Sequence, residues 1–203
     1  LTHNPSTLKE VSIKENKELS ELDLSKSAQL KSLEVDGCEA LTQLSFPEGA
    51  KLTLLSCGKS GIKELDLKNL KDLEALMCGE LGLTTLDVSM LEKLTNLSCF
   101  GNKLAKLDIS NNKKLFSLKC DNCEMEELVL GDVSSLKSFS VNNNKLKHID
   151  VSKLTQISKL SLQDNLLESI VVSKEMSMLN DLRIYNNKLS AKAMMAFIEL
   201  LPK

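Results

Sequence analysis

The chain has 203 residues, of which 42% are hydrophobic and 27% charged, and its formal net charge is −2. These proportions are ordinary for a folded domain, but only 3% of the residues are aromatic, so we expect an aliphatic core. A nearly neutral chain without a Lys/Arg cluster offers no basic surface to a phosphate backbone, and we therefore expect no nucleic-acid partner. No stretch of about 18 consecutive apolar residues is present, so we expect no membrane span.

An apolar triplet recurs nine times along the chain. Each copy has Leu or Ile, an apolar residue three positions later, and another two positions after that. The copies begin at Leu8, Leu30, Leu52, Leu73, Leu94, Leu115, Leu136, Ile157 and Leu179, at intervals of 21 or 22 residues. A unit this short cannot bury its own apolar side chains, so successive units must stack and share one core. The period predicts a repeat solenoid of nine coils, here numbered one to nine, without a natural catalytic pocket.

Spacing inside each coil indicates strands rather than helices. In coil five the last two apolar residues of the triplet, Leu97 and Cys99, are two positions apart. The second half of the coil repeats this spacing with Leu107 and Ile109. Alternation with a period of two is typical of a β-strand. We expect a parallel sheet along one face, short strands along the second face, and few or no helices there.

The strand segments carry a recognisable motif. Coil five reads Leu94-Thr-Asn-Leu97-Ser-Cys99-Phe-Gly-Asn102, which resembles the LxxLxLxxN motif of the leucine-rich-repeat family. The L-D-[VI]-S segment in the second half of several coils resembles the short bacterial repeats of internalin-like surface proteins. The resemblance implies a right-handed coil whose parallel sheet is concave, and a recognition role in which the concave sheet binds another macromolecule.

The repeat supports one domain rather than two. We expect an N-terminal edge at 1–7, nine coils at 8–189 and a capping helix at 190–203. Ser190 is a plausible N-cap, and Met194, Phe197, Ile198 and Leu201 share one helical face before Pro202. A chain that begins at Leu1 without Met suggests a part of a longer precursor.

The motif's asparagine position is not uniform. Coils one to nine place Asn16, Cys38, Ser60, Leu81, Asn102, Cys123, Asn144, Asn165 and Asn187 there. An asparagine amide can satisfy backbone groups in the turn, which Ser60 and Leu81 do less well or not at all. We therefore predict that coils three and four, around 59–82, are the least regular.

Two columns invite a metal or redox interpretation. Cys57, Cys78, Cys99 and Cys120 occupy the same inward position in four consecutive coils, so we expect reduced, buried thiols and no metal or cofactor. On the second face, Asp23, Asp66, Asp87, Asp108 and Asp150 form an acidic column. A turn role, in which each carboxylate accepts a backbone N–H, is favoured over calcium because the glycine-rich nonapeptide of calcium-binding solenoids is absent.

The binding surface is sought among side chains that leave the concave sheet. Most of these are small or polar, so the larger residues stand out. The candidate binding residues are Met77, Phe100, Lys119, Asp121, Arg183 and Tyr185. Met77 and Phe100 are diagonal neighbours in adjacent coils, with Gly79 and Gly101 close enough to let a ligand approach the backbone.

These observations favour a monomeric, non-enzymatic module that binds a protein or peptide and belongs to a secreted or surface-anchored bacterial protein. The sequence contains no recognisable nucleophile, base and phosphate-binding motif. Glycan or cell-wall binding is an alternative, although it calls for more aromatic platforms than Phe100 and Tyr185. A further alternative is a substrate-recognition arm of an effector enzyme whose catalytic domain lies outside this chain.

Overall fold

The structure, a computed structural model, describes residues 7–201 and is a parallel β-solenoid. Each of the nine coils contributes one strand to a continuous parallel sheet. The strands are β1 (Glu10–Ser12), β3 (Ser32–Glu34), β5 (Leu54–Ser56), β6 (Ala75–Met77), β7 (Asn96–Ser98), β9 (Ser117–Lys119), β11 (Ser138–Ser140), β13 (Lys159–Ser161) and β15 (Asp181–Arg183). Neighbours pair in sequence order, which confirms the solenoid predicted from the period.

The register of this sheet follows the sequence repeat without a slip. The central apolar residue of each strand pairs with its equivalent in the next coil, as Leu76 does with Leu97 and Leu97 with Leu118. A slip of one residue would turn the apolar positions outward, so the buried face holds the register. Leucines from all nine coils and the inward cysteines form one continuous core along the solenoid.

The second face carries shorter, interrupted sheets. Three two-stranded parallel sheets pair β2 (Glu21–Asp23) with β4 (Gln43–Ser45), β8 (Lys106–Asp108) with β10 (Glu127–Val129), and β12 (His148–Asp150) with β14 (Ser169–Val171). Coils three and four have no strand at the corresponding positions, around Asp66 and Asp87. These are the two coils that the asparagine column predicts to be least regular, and the structure agrees.

The asparagines bridge consecutive coils. Asn102 Nδ2 donates to the carbonyls of Cys99 and Cys78, at 2.7 and 2.9 Å, while its Oδ1 accepts from the N–H groups of Leu81 and Leu83. Two backbone donors and two backbone acceptors, all buried, are thereby satisfied by one side chain. Cys123 reproduces part of this pattern, since its thiol donates to the Cys99 carbonyl at 3.2 Å.

Each strand of the concave sheet is followed by a residue in the left-handed backbone conformation. The same position has a positive φ in all nine coils, occupied by Glu15, Gly37, Lys59, Glu80, Gly101, Asn122, Asn143, Asp164 and Asn186. Glycine, asparagine and aspartate tolerate this conformation, whereas glutamate and lysine are strained in it. Lys59 and Glu80, two such strained residues in consecutive coils, lie in coils three and four, which lack a second-face strand.

The C-terminal helix α1 (Ala191–Leu200) follows the last coil, as predicted. Ser190 is its N-cap, because its side chain accepts from the N–H of Ala193 at 3.1 Å. Phe197 is buried, and Met194 and Leu201 pack partly against the core. Ile198 is 52% exposed, so the sequence prediction was wrong about this residue. Residues 1–6 of the expected N-terminal edge and 202–203 of the capping segment lie outside the described residues.

Candidate functional site

Each coil presents three outward positions on the concave side, at the first and third residues of the strand and two residues after it. Met77, Phe100, Lys119 and Asp121 occupy such positions in the adjacent coils four, five and six, so the structure brings these four predicted residues together. Arg183 and Tyr185 lie in coil nine, three coils further along, and do not join them. The Arg183 guanidinium is engaged by Asp181 at 3.2 Å, whereas Tyr185 is 58% exposed.

Phe100 lies flat on the sheet instead of standing out from it. A Cβ placed on Gly79 would lie 2.6 Å from Cε1 of the Phe100 ring, so the ring rests against this glycine and excludes any larger residue there. Lys119 Nζ lies 4.8 Å from the ring centroid, in a cation–π contact. The expectation that Gly79 and Gly101 expose backbone to a ligand was therefore wrong. The Phe100 ring covers Gly79, and Glu80 packs against Gly101.

The middle of the concave face is an uncharged band. In coils three, four and five, all nine outward positions are neutral and most are small: Leu54, Ser56, Gly58, Ala75, Met77, Gly79, Asn96, Ser98 and Phe100. We call this surface the neutral band. Its edges are charged, with Glu34 and Asp36 in coil two and Lys119 and Asp121 in coil six. A rigid, weakly hydrated surface between charged edges is suited to contact with a partner.

Asp36 and Asp121 are held at the two edges in the same way. Oδ1 of Asp36 accepts from the Ser56 hydroxyl at 2.8 Å and from the Gly58 N–H at 3.0 Å. Oδ1 of Asp121 accepts from the Ser140 hydroxyl at 2.6 Å and from the N–H of Asn142 at 2.8 Å. Each carboxylate is therefore fixed by the next coil. Within residues 7–201, neither Oδ2 atom accepts a hydrogen bond.

Two amide oxygens in the two coils that follow Asp121 lack hydrogen-bond partners. Because the Ser140 hydroxyl donates to Asp121, its oxygen accepts from Nδ2 of Asn142 at 2.8 Å. This chain of bonds fixes the Asn142 amide and leaves its Oδ1 buried without a hydrogen bond. In the next coil Gln163 is 9% exposed, and its Oε1 is also buried and unpartnered. Desolvated acceptors of this kind destabilise a free protein by about 1 to 3 kcal/mol each.

Sequence reasoning passed over Asp36, Asn142 and Gln163 because their side chains are ordinary for a polar surface. Their column was visible in the sequence, two residues after each strand. The hydrogen bonds of Asp36 and Asn142 were not visible in the sequence, because each depends on a serine that links two consecutive coils. Phe116, which is 46% exposed, was also missed. It stands beside the strand columns, where other coils place lysine, threonine, glutamate, serine or asparagine.

The cysteine column forms no site that reaches solvent. All six cysteines are buried and free. Burial raises the pKa of the Cys57 thiol to about 12, and burial also raises the pKa of Cys78 well above its usual value. Thiols with raised pKa values are poor nucleophiles at neutral pH. In the part of the chain that the structure describes, no three His, Cys, Asp or Glu residues are grouped to hold a metal ion.

The acidic column of the second face consists of turn-forming residues. The carboxylates of Asp66, Asp87 and Asp108 each accept the backbone N–H two residues later, at 2.9 to 3.1 Å. Bonds from Ser89 and Ser110 hold the pKa of Asp87 and Asp108 below their usual values. Asp23 and Asp150 accept equivalent bonds. The turn interpretation is confirmed.

Solved structures with the same architecture come from several organisms. The functional domain of InlJ from Listeria monocytogenes, which includes a cysteine ladder, is 24% identical with a TM-score of 0.74, covering 90% of this chain and 45% of that one. A leucine-rich-repeat protein of Leptospira interrogans is 23% identical with a TM-score of 0.74, covering 87% and 48%. This protein has the leucine-rich-repeat fold.

A more distant structure extends the comparison. The leucine-rich-repeat ectodomain of the plant receptor kinase GASSHO1/SCHENGEN3 from Arabidopsis thaliana was solved in complex with CASPARIAN STRIP INTEGRITY FACTOR 2. It is 17% identical with a TM-score of 0.66, covering 97% of this chain and 29% of that one. The chain thus spans less than half the length of these three proteins. No family model matches the sequence, and a comparison with curated proteins gives no match.

The leucine-rich-repeat fold presents the sheet's outward columns as one continuous surface. The four buried cysteines of coils three to six repeat at one position of this fold, and a cysteine ladder is also a feature of the InlJ domain. No described helix is long and apolar enough to cross a membrane.

Proposed function

We propose that the chain is a monomeric, non-catalytic recognition module that binds a protein or peptide on its concave face, as part of a secreted or surface-anchored bacterial protein. The observation that carries the proposal is the neutral band, a preformed apolar and small-residue surface on a sheet fixed by nine in-register strands. A surface that is rigid before binding loses little conformational entropy when a partner docks.

The structural neighbours support this proposal at the level of fold. The plant ectodomain was solved with a bound factor, and InlJ and the Leptospira protein come from bacteria. The chain's own surface favours a protein or peptide over a glycan. Tyr185 is the one strongly exposed aromatic residue on the described concave positions, whereas glycan recognition would be served by several such platforms.

Alanine variants of Met77 and Phe100 test the proposal. Both side chains are half-buried, so each variant should lose no more than about 1 kcal/mol of stability. If the neutral band is a hot spot, each should weaken partner binding by about 1 to 2 kcal/mol. A partner recovered from bacterial or host surface extract would be identified and titrated against each variant. Equal affinity for wild type and both variants would contradict the proposed surface.

Leu97→Ala is the matched control in the same coil as Phe100. Leu97 is 2% exposed and faces the core, so its truncation should cost about 2 to 5 kcal/mol of stability. It should not weaken binding selectively at a temperature where the variant remains folded. Size-exclusion chromatography with light scattering tests whether the chain is a monomer in solution.

A further inference from the structure

Carboxylates with an uncommitted oxygen stand at the two edges of the neutral band. At one edge Asp36 offers Oδ2, and at the other Asp121 offers Oδ2. Lys14, the base nearest Asp36, is already paired with Glu34 at 2.6 Å. Lys119, the base in the coil of Asp121, lies over the Phe100 ring. Neither carboxylate forms an ion pair with a described base.

Fixed acceptors without donors favour a ligand that brings N–H groups and positive charge. A guanidinium or ammonium group supplies both, and arginine can bond two acceptors at once. A single carboxylate at each edge carries too little charge for a dedicated divalent-cation site.

The distance between the edges sets the spacing on the ligand. Asp36 and Asp121 belong to coils two and six, and strands about 4.8 Å apart place four intervals at about 19 Å. An extended peptide that runs along the solenoid covers this length in about six residues, at about 3.3 Å each. Its intervening side chains would meet the small and apolar residues of the neutral band.

We propose that the concave face binds an extended basic peptide segment, with one cationic side chain at Asp121, a second at Asp36, and neutral residues between them. This inference rests on the proposed function and adds the chemistry of the partner to it. The orientation follows the solenoid axis, across the strands, because the two acceptor edges are separated in that direction.

Synthetic peptides provide the first test. The probe is a fluorescein-labelled Arg-Ala-Leu-Ser-Leu-Ala-Arg peptide, measured by fluorescence anisotropy at low salt. It should bind more tightly than the same peptide with both arginines replaced by glutamate, and its affinity should fall as salt is added. A peptide with only two residues between the arginines should bind more weakly, since it cannot reach both edges. Equal binding of the acidic peptide would overturn the inference.

Variants that replace one aspartate by asparagine test whether the carboxylate at each edge binds the peptide. Asp36→Asn and Asp121→Asn keep an oxygen that accepts the serine and backbone bonds, so both should fold normally. Each should weaken binding of the arginine peptide about five- to tenfold. Asp108→Asn, on the second face, is the matched control and should leave binding unchanged. Wild-type affinity in the Asp36→Asn/Asp121→Asn double variant would overturn the inference.

A displayed random twelve-residue library separates this inference from the proposed function. Selection on wild type, with removal of sequences that also bind the Met77→Ala/Phe100→Ala variant, should enrich two basic residues about six positions apart. Enrichment of acidic or uncharged sequences would overturn the basic partner while keeping concave binding. No enrichment that depends on Met77 and Phe100 would contradict both.

Discussion

At the scale of single residues, the asparagine column holds consecutive coils together. Asn102 satisfies four buried backbone groups, one in its own coil and three in the preceding coil. Leu81, at the same position one coil earlier, has no polar side chain, and its own N–H depends on Asn102. The amide of coil five therefore supports coil four as well.

Asn102→Ala should be among the costly single substitutions. It removes four hydrogen bonds and leaves buried backbone groups unpaired, and we expect a loss of about 3 kcal/mol or more in the free energy of unfolding, measured by urea denaturation. Asn96→Ala, at an exposed position of the same coil, should change stability by less than about 0.5 kcal/mol. A similar effect of the two variants would show that the bridging bonds contribute little.

The cysteine side chains should be chemically silent in the native state. Burial raises the pKa of Cys57 and Cys78, and the Cys99 pKa is raised chiefly by its contact with the Cys120 thiol. With an aromatic disulfide reagent at pH 8, we expect few thiols to react natively and nearly six after denaturation. Rapid native reaction of four or more would contradict the buried column.

At the scale of elements, the capping helix is attached through a small part of its surface. Phe197 is its buried residue and lies 4% exposed, while Met195 is 59% exposed. Without the helix, the last coil would expose apolar side chains and a row of unpaired strand groups. The helix therefore covers the solenoid edge mainly through Phe197, with partial contributions from Met194 and Leu201.

Phe197→Ala tests the attachment. Truncation of a buried phenylalanine should lower stability by about 3 to 5 kcal/mol, and deletion of 190–203 should cause at least as large a loss or aggregation. Met195→Ala, on the exposed side of the same helix, should stay within about 0.5 kcal/mol. Thermal or urea unfolding gives the comparison, and an equally stable, monomeric Phe197→Ala protein would show that the helix is not a cap.

At the scale of the whole molecule, the coils are linked by charges as well as by the core. Ion pairs such as Lys106 with Glu127 and Lys145 with Glu124 join consecutive coils, at 2.6 and 2.9 Å. They are exposed, so each contributes little. The turn aspartates make the same hydrogen bond to a backbone N–H in several coils of the second face, so their combined effect on stability can be tested.

Stability should fall in acid through these aspartates. Serine bonds lower the folded-state pKa of Asp87, Asp108 and Asp150 below the unfolded value of about 3.9. Their contribution is therefore present above about pH 4 and lost as the pH falls through the lower folded-state values. We expect a constant urea midpoint from pH 7 to 5 and a decline below pH 4.

Asp108→Asn isolates one of these groups. The variant should be less stable than wild type at pH 6, and the difference should shrink toward pH 2, where the wild-type carboxylate is protonated. Asp132→Asn, at an exposed residue outside the column, is measured alongside as the matched control. A constant gap between wild type and Asp108→Asn across this range would contradict the linkage.

The sequence by itself determined the number of coils, the register of the concave sheet and the inward cysteine column. Each follows from the repeat, because one period of 21 or 22 residues advances the chain by one strand spacing and returns every position to its own column. The capping helix after Ser190 could also be predicted from the sequence, because the period changes there and a capping residue precedes an amphipathic segment.

Only the tertiary structure decided how neighbouring columns meet. It placed the Phe100 ring on Gly79, left Ile198 exposed, and fixed the Asn142 amide through a serine that already donates to Asp121. The first and third outcomes depend on side chains about 20 residues apart in sequence and adjacent in space. A repeat pattern specifies which positions face inward or outward, but the contacts between outward side chains depend on the particular residue that the next coil supplies.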